Sequence, residues 1–271
     1  MQLLSEHACI EAIKKGEYFQ AVIQDGAFSL KIDEYSFFIC TAIHNGHRLR
    51  QELVNKCALD EAERLHEEDP FTGDLISSLP ITLVALDSRY EYDLNRSPEH
   101  CIYEQAWGKS VWSSQLTEEE CKVSKHKHHV FYRVLGVLVE KLQSQFGACL
   151  IYDIHSYNYR RLTTTDTPVF NIGTEQLNKL RWNSVIQHWN KTLNKATLHN
   201  VNVRSATDEV FFGRGYLANF VRQHYRNTLV LPTEVKKIFM KENTGDVYPL
   251  VLPELKEVLK QSILINALYF S

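Results

Sequence analysis

The sequence lacks long apolar segments and concentrated charge of either sign. Nowhere in its 271 residues does an unbroken apolar run approach the roughly 18 residues of a membrane-spanning helix. The first residues do not combine a charged start with an apolar stretch, so we expect neither a signal peptide nor a membrane span, and a cytoplasmic location. The 30 Lys and Arg residues face 33 Asp and Glu, and no basic block could follow a phosphate backbone. We therefore expect no nucleic-acid or membrane partner.

Paired cysteines are also absent. The six cysteines (Cys9, Cys40, Cys57, Cys101, Cys121 and Cys149) are widely spaced and form no CxxC motif, unlike the dense frameworks of small secreted domains. We expect reduced, buried thiols that pack as small apolar side chains. A cysteine-ligated zinc site and thiol catalysis both lack support, because no motif places a base beside a cysteine.

Glycine and proline are scarce, at 11 and 7 residues, and no internal repeat is present. Since no flexible linker is marked, we expect one domain over residues 1–271. Four apolar runs rich in β-branched and aromatic residues predict buried strands; they span 37–43, 81–86, 148–154 and 228–231. Alternating strands and helices predict an α/β fold.

Helical patterns lie between and after these runs. Periodic apolar residues predict helices near 53–65 and 235–242. A longer helix is expected between the second and third strands, where Thr117 and Glu120 form a capping box and Gly147 provides a stop. The first 35 residues predict a helix and a polar segment that pack on the domain.

Chemically reactive residues follow each predicted strand. The four runs give way in turn to His44, to Arg89, to Asp153 and His155, and to Glu234. Open α/β sheets bind ligands beyond the carboxyl ends of their strands. We therefore expect these side chains to converge on one rim of the sheet.

Each of these residues also has a purely structural interpretation. A lone histidine at a strand end is more often a hydrogen-bonded structural residue, and the acidic cluster 67–69 is typical of a solvated helix end. Arg89 suits a surface ion pair, and Glu234 suits the positive end of the helix expected after it. Their joint placement favours function, because two histidines and one carboxylate form the ligand set of a catalytic zinc with an open fourth position.

Several motifs occur in a characteristic order. IHNGH, HEEDPFTGDL, SRYEYDLNR, IYDIHS, PVFNIGT and LPTEVKKIFM together resemble the N-formylglutamate amidohydrolase family over about residues 37–245. That family is similar in architecture to zinc carboxypeptidases and aspartoacylases. The resemblance implies a phosphorylase/hydrolase-like α/β fold, with a mixed central sheet and helices on both faces, and hydrolysis of an amide next to a carboxylate.

The resemblance also implies a metal site with one Zn²⁺ ion. Its first and last ligands are His44 and His155, and an acid from the cluster 67–69 lies between them. Asp69 is the preferred middle ligand, and Glu68 is the alternative because it better mimics the glutamate ligand of carboxypeptidases. Asp153, two residues before His155, is expected either to accept the imidazole proton or to orient the loop that carries the histidine.

The remaining roles follow from the demands of amide hydrolysis. Glu234 is expected to move a proton from water to the departing amine. Arg89 is expected to stabilise the developing oxyanion. Asn95 and Arg96 are expected to hold the substrate carboxylate, since a guanidinium can bind both oxygens at once.

Other motifs are less specific. HKHH at 126–129 falls in the long helix, where His126 and His129 more plausibly form a solvated face than a metal site. GRGY at 213–216 does not follow the GxGxxG pattern; its likeness to a Gly-Gly-Tyr segment of the family suggests a loop near the substrate. FNIGT at 170–174 suggests a turn that supports the structure or contacts substrate.

The leading hypothesis is a zinc-dependent amidohydrolase that cleaves N-formyl-L-glutamate or a similar N-acyl amino acid. One alternative is a zinc carboxypeptidase acting on a short peptide or cell-wall fragment. Another is a non-catalytic protein that binds a carboxylated ligand. Departures from the family pattern at Ala42, Ile43, Asn45 and the cluster 67–69 leave the acyl group open, and the sequence does not indicate an oligomeric state.

Overall fold

A mixed nine-stranded sheet forms the centre of the protein in the computed structural model, which describes residues 1–164 and 166–271. Its strands are β1 (Gln2–Leu4), β2 (Phe19–Ile23), β3 (Phe28–Ile32), β4 (Phe38–Ala42), β5 (Ile81–Ala85), β8 (Cys149–Tyr157), β9 (Phe170–Ile172), β10 (Ser205–Thr207) and β11 (Thr228–Lys236). Two further strands, β6 (Gln105–Ala106) and β7 (Lys109–Ser110), form a separate hairpin. The order in the sheet is β1-β2-β3-β5-β4-β8-β11-β9-β10.

The four predicted strands form the middle of this sheet. β5, β4, β8 and β11 are neighbours and all run parallel, so their carboxyl ends meet at one edge. Every residue of β4, β5 and β8 is buried, as expected for strands covered on both faces. Antiparallel pairing of β3 with β5 and of β9 with β11 makes the sheet mixed, which confirms the predicted fold class.

Helices cover both faces of the sheet. They are α1 (Glu6–Lys15), α2 (Gln51–Val54), α3 (Glu61–Glu67), α4 (Thr72–Ile76), α5 (Glu118–Phe146), α6 (Lys179–Asn194), α7 (Tyr216–His224) and α8 (Val251–Phe270). One core contains residues from α1, α5 and α7, and the other contains residues from α4, α6 and α8. The predicted long helix is confirmed as α5, with a Thr117–Glu120 capping box and Gly147 at its end.

Three local predictions differ from the structure. The predicted helix at 235–242 is wrong, because β11 continues to Lys236 in register with β8 and is followed by a turn. The single helix predicted near 53–65 is replaced by two helices, α2 and α3. A capping box formed by Asp60 and Glu63 begins the second helix. The first 35 residues contain α1 and also three strands, so they extend the sheet instead of only packing on it.

The cysteines are unpaired, as predicted. Cys9, Cys40, Cys101 and Cys149 are buried, whereas Cys57 and Cys121 are partly exposed. Burial raises the pKa of the Cys9 thiol to about 12, so this thiol stays protonated at neutral pH. Among the helices of the described residues, none combines the length and apolar character needed to cross a bilayer.

Candidate active site

The carboxyl ends of the parallel strands open into a cleft of about 340 Å³. Seven of the eight residues predicted for the site line it: His44, Asp69, Arg89, Asn95, Arg96, His155 and Glu234. Asp153 lines it as well. The expectation that the strand ends converge on one rim is therefore confirmed, and Glu68 is the predicted residue that lies outside the cleft lining.

Three buried side chains at the base of the cleft form a compact group. His44 lies in the turn after β4, His155 lies in β8, and Asp69 follows α3. The Nδ1 atoms of the two imidazoles are 3.1 Å apart, and Asp69 Oδ2 is 3.3 Å from His44 Nδ1 and 3.2 Å from His155 Nδ1. The backbone N–H of Asp69 donates to the carbonyl of His44 at 2.9 Å, which fixes the two chain segments relative to each other.

The opposite nitrogen of each imidazole is held by a carboxylate. His44 Nε2 is 2.8 Å from Asp93 Oδ1, and His155 Nε2 is 2.8 Å from Asp153 Oδ2. A carboxylate accepts only, so each Nε2 carries a hydrogen, and an imidazole in its neutral form turns the lone pair of Nδ1 inward. Asp153 and His155 are two residues apart on β8, which places both side chains on one face. The predicted partnership of Asp153 with His155 is confirmed.

This group fits a divalent cation. With both imidazoles neutral, two Nδ1 lone pairs and a carboxylate oxygen would face one another, which is unfavourable unless a proton or a metal ion lies between them. Metal–ligand distances of ~2.0–2.1 Å with tetrahedral angles require ligand atoms ~3.3 Å apart, and the three separations in the structure agree. The separations of the ligand atoms of His44, Asp69 and His155 are therefore compatible with a metal ion held by all three.

The charges around this group also favour a cation. Burial alone would raise the pKa of Asp69, but hydrogen bonds from His155 and His44 hold it well below its ordinary value. Burial lowers the pKa of His155, yet the adjacent Asp153 outweighs that effect and the net pKa is well above the usual range. The carboxylates thus stabilise positive charge at the inward-facing nitrogens.

Glu68 points away from this group. Its carboxylate is hydrogen-bonded to the imidazole of His47 and to the hydroxyl of Ser88, and its backbone carbonyl accepts from Lys237 Nζ at 2.7 Å. Glu68 and Asp69 are both buried, so the cluster is not a solvated helix end. Of the two candidates for the middle ligand, Asp69 alone faces the histidines.

Arg89 lies beside the three-residue group and is tied to it through Asp93. Its Nη2 and Nε donate to Asp93 Oδ2 at 2.7 and 3.1 Å, and Nη1 donates to the carbonyl of Glu67 at 3.1 Å. The hydroxyl of Tyr103 also donates to Asp93. Burial would raise the pKa of Asp93, but Arg89 and His44 hold it well below its ordinary value. Asp93 is therefore a fixed anion that orients both His44 and Arg89.

Glu234 faces the group from the neighbouring strand. It is in register with His155 on one side and with Asn171 on the other, so its side chain points to the same face of the sheet as His155. Burial, with added repulsion from Asp69, raises the pKa of Glu234 to about 8, although His155 and Arg89 act in the opposite direction. A carboxyl group is thus placed next to the open side of the candidate metal site.

Asn95 and Arg96 also line the cleft. The backbone N–H of Asn95 donates to Asp93 Oδ1 at 2.6 Å. Because the same oxygen also holds His44, this bond links the loop to the group of His44, Asp69 and His155. Arg96 is exposed, and its carbonyl accepts from His128 Nε2 at 2.9 Å. Within the described part of the chain, the Arg96 guanidinium forms no ion pair, so it is available to an anionic ligand.

A loop at 208–215 closes the cleft beside Asn95. The side chain of Asn171 accepts from the backbone of Glu209 and Val210 and donates to the carbonyl of Phe211. Any side chain at Gly215 would overlap Asn95. The GRGY segment therefore lies at the cleft, as suggested from its sequence, and the FNIGT segment supports it.

Sequence reasoning missed several residues around the site. Asp93 stands four positions after Arg89 in the SRYEYDLNR motif, a spacing that could have identified it as a carboxylate partner. Lys237 is buried and lines the cleft, donating to the carbonyls of His66 and Glu68. In the HKHH segment, His126 and His129 are exposed, whereas the intervening His128 is buried against the Arg96 loop.

Comparison with known proteins agrees with these observations. Residues 36–237 match the family model described as N-formylglutamate amidohydrolase. An N-formylglutamate amidohydrolase from Ralstonia eutropha JMP134 has a similar structure, with a TM-score of 0.73, 18% identity, and coverage of 90% of this chain and 97% of that chain. A gene product of Agrobacterium tumefaciens follows with a TM-score of 0.63, 13% identity, and coverage of 88% and 94%. No curated protein is significantly similar in sequence.

Proposed function

The chain belongs to the N-formylglutamate amidohydrolase family and is a hydrolase acting on an amide; we propose that it uses one Zn²⁺ ion to hydrolyse N-formyl-L-glutamate or a similar N-acyl amino acid. The observation that carries this proposal is the pair of imidazoles whose Nδ1 atoms face Asp69 Oδ2 within 3.3 Å. A carboxyl group and a guanidinium flank this arrangement, as amide hydrolysis requires.

His44, Asp69 and His155 would hold the metal ion. A bound zinc ion supplies Lewis acidity, which increases the acidity of water and polarises a carbonyl. Asp93 and Asp153 orient the two imidazoles and fix the tautomer that presents Nδ1. The protein thereby holds three ligands in place before any substrate arrives.

Glu234 moves the proton in this proposal. A cation held by His44, Asp69 and His155 would lower the raised pKa of Glu234, so that its carboxylate can take a proton from the attacking water as the water oxygen bonds to the acyl carbon. The same proton is then delivered to the nitrogen of the amino acid as the carbon–nitrogen bond breaks. The products are a carboxylate and a free amino acid, and no external reductant or oxidant is consumed.

Arg89 and Arg96 bind the two charged parts of the reacting molecule. Arg89, anchored by Asp93, donates to the oxygen of the scissile carbonyl as negative charge develops on it. Arg96 and the side chain of Asn95 hold the carboxylate of the amino acid. The peptidase alternative uses the same carboxylate contact, so loss of that contact does not distinguish the two activities. A panel of N-acyl amino acids and dipeptides as substrates separates them.

Metal content tests the proposed ligands directly. We expect about one equivalent of zinc per wild-type chain and loss of most of it in His44→Ala, because two of the three ligands alone cannot close the site. Elemental mass spectrometry after gel filtration in zinc-containing buffer measures this ratio. His126→Ala, a substitution of an exposed histidine outside the cleft, is the matched control. Absence of bound zinc in the wild type would overturn the proposed mechanism and favour a ligand-binding protein.

Arg96→Ala tests the carboxylate contact. We expect KM to rise about 10- to 100-fold, because a charge-assisted hydrogen bond contributes ~1.5–3 kcal/mol, while kcat changes little. Initial rates over a range of N-formyl-L-glutamate concentrations separate the two constants. The exposed Arg222→Ala, on α7 outside the cleft, should retain the wild-type KM. An unchanged KM in Arg96→Ala would remove Arg96 from substrate binding.

A further inference from the structure

The hairpin formed by β6 and β7 carries an unusual residue at its tip. Gln105 pairs with Ser110 and Ala106 with Lys109, so Trp107 and Gly108 form a two-residue turn. Both have positive φ, at 49° and 77°, as in a type I′ turn. Asn, Asp and Gly suit the first position of this turn, whereas a bulky residue with positive φ is strained. The backbone therefore gives no reason for tryptophan, and the reason must lie with the indole.

The indole of Trp107 covers Arg89. The guanidinium carbon of Arg89 is 4.8 Å from the centroid of the indole ring, a cation–π arrangement. The rings of Tyr90 and Tyr103 meet the indole edge-on with centroids 5.8 Å away. Trp107 nonetheless remains 43% exposed and lines the cleft. Part of a large apolar surface thus stands open to the cleft next to the guanidinium proposed to bind the scissile carbonyl.

We propose that Trp107 forms the wall of an acyl subsite and that the preferred substrates are N-acyl amino acids whose alkyl or aryl acyl group is larger than formyl. This inference rests on the proposed function, in which Arg89 holds the oxygen of the scissile carbonyl. The acyl substituent is bonded to the carbon of that carbonyl and so lies beside the guanidinium that the indole covers. In a formyl group the substituent is a hydrogen atom, which leaves the indole in water, whereas an alkyl group covers it.

The residue proposed to hold the carboxylate of the amino acid has other neighbours than the indole. Asn95, proposed to hold its carboxylate, packs against Gly215, and the ring contacts of Trp107 involve Tyr90, Tyr103 and Arg89. A cleft of about 340 Å³ falls in the range typical of drug-sized ligands, which leaves room for a larger acyl group. Because the indole covers Arg89, which is proposed to bind the scissile carbonyl, we assign it to the acyl group.

An acyl series tests this assignment. The zinc-loaded wild type and Trp107→Asn are assayed with N-formyl-, N-acetyl-, N-propionyl-, N-butyryl- and N-benzoyl-L-glutamate. Formamides are intrinsically more reactive than alkyl amides, so the measured quantity is the ratio of kcat/KM between wild type and variant for each substrate. We expect this ratio to rise about fourfold per added CH₂, equivalent to ~0.8 kcal/mol, until the subsite is filled. Asn relieves the strain of the turn but loses the ring contacts, so thermal denaturation is measured to verify that the variant is folded.

Two further variants make the outcome decisive. Trp107→Phe, which keeps an aromatic face, should restore part of the dependence on acyl length. Tyr18→Ala removes an exposed aromatic outside the cleft and should leave every ratio near one. A ratio that stays flat or falls along the series would overturn the acyl subsite while leaving the hydrolase intact. If the wild type hydrolyses no member of the series, the proposed function fails, and this inference fails with it.

Discussion

Glu234→Gln is expected to lower kcat for N-formyl-L-glutamate about 10²- to 10⁴-fold, the usual contribution of a positioned general acid–base group. The substitution keeps the size of the side chain and its place on β11, opposite His155. It removes the ability to take a proton from water and deliver it to the amine. Since Glu234 is not one of the three proposed ligands, we expect zinc content to stay near one equivalent.

The measurement combines steady-state kinetics with metal analysis of the same preparation. Glu119→Gln provides a matched control, because Glu119 pairs with Lys122 on the surface of α5 and lies outside the cleft lining; its activity should remain near that of the wild type. Glu234→Asp should recover only part of the rate, since the shorter side chain retracts the carboxylate. If Glu234→Gln stays within a few fold of the wild type, another group moves the proton.

The middle of the sheet could be predicted because its strands are buried on both faces. β4, β5 and β8 consist of buried residues throughout, so their sequences are unbroken apolar runs. β2 and β3 are as long as β4 and β5, but they were missed because they alternate buried with partly exposed residues. Lys31 and Asp33, which pair at their end of the sheet, give that segment a polar composition. Its strand character depends on pairing with β5, which local sequence does not specify.

The wrong helix at 235–242 shows tertiary structure overriding a local pattern. Val235, Ile238 and Phe239 have the spacing of one helix face, yet Val235 pairs with residues of β8 and β9. Ile238 and Phe239 then turn into the core beside α8. Apolar periodicity reports burial, and a strand followed by a turn can bury the same positions as a helix.

The residues that line the candidate site were predicted more completely than the residues that orient them. His44, His155 and Glu234 follow predicted strands, so the sheet edge brings them together. Asp93 belongs to no strand, and its role depends on contacts with His44 and Arg89 that come from distant parts of the fold. The choice of Asp69 over Glu68 likewise required the directions of their side chains. These directions depend on how the chain turns after α3, which the sequence does not specify.

Lys127→Met is expected to destabilise the protein by ~3 kcal/mol, because breaking a buried ion pair leaves uncompensated charge. Lys127 lies in α5 and is buried, and its Nζ is 2.9 Å from Asp87 Oδ2 and 3.0 Å from Glu91 Oε1. Arg48 and Arg50 also bind these two carboxylates. Their presence puts the expected cost at the lower end of the ~3–5 kcal/mol typical of such losses.

The same substitution connects stability to the site. Asp87 and Glu91 flank Arg89, and Asp93 follows two residues later, so Lys127 anchors to α5 the segment that orients the candidate metal site. Urea unfolding at fixed zinc concentration measures the free energy of unfolding. In thermal denaturation under the same conditions, we expect the melting temperature of Lys127→Met to fall by about 6–12 °C. Lys125→Met, on the exposed face of α5, should change stability by less than about 0.5 kcal/mol. Equal stability of the two variants would show that the arginines alone neutralise both carboxylates, and that Lys127 is dispensable for holding this segment.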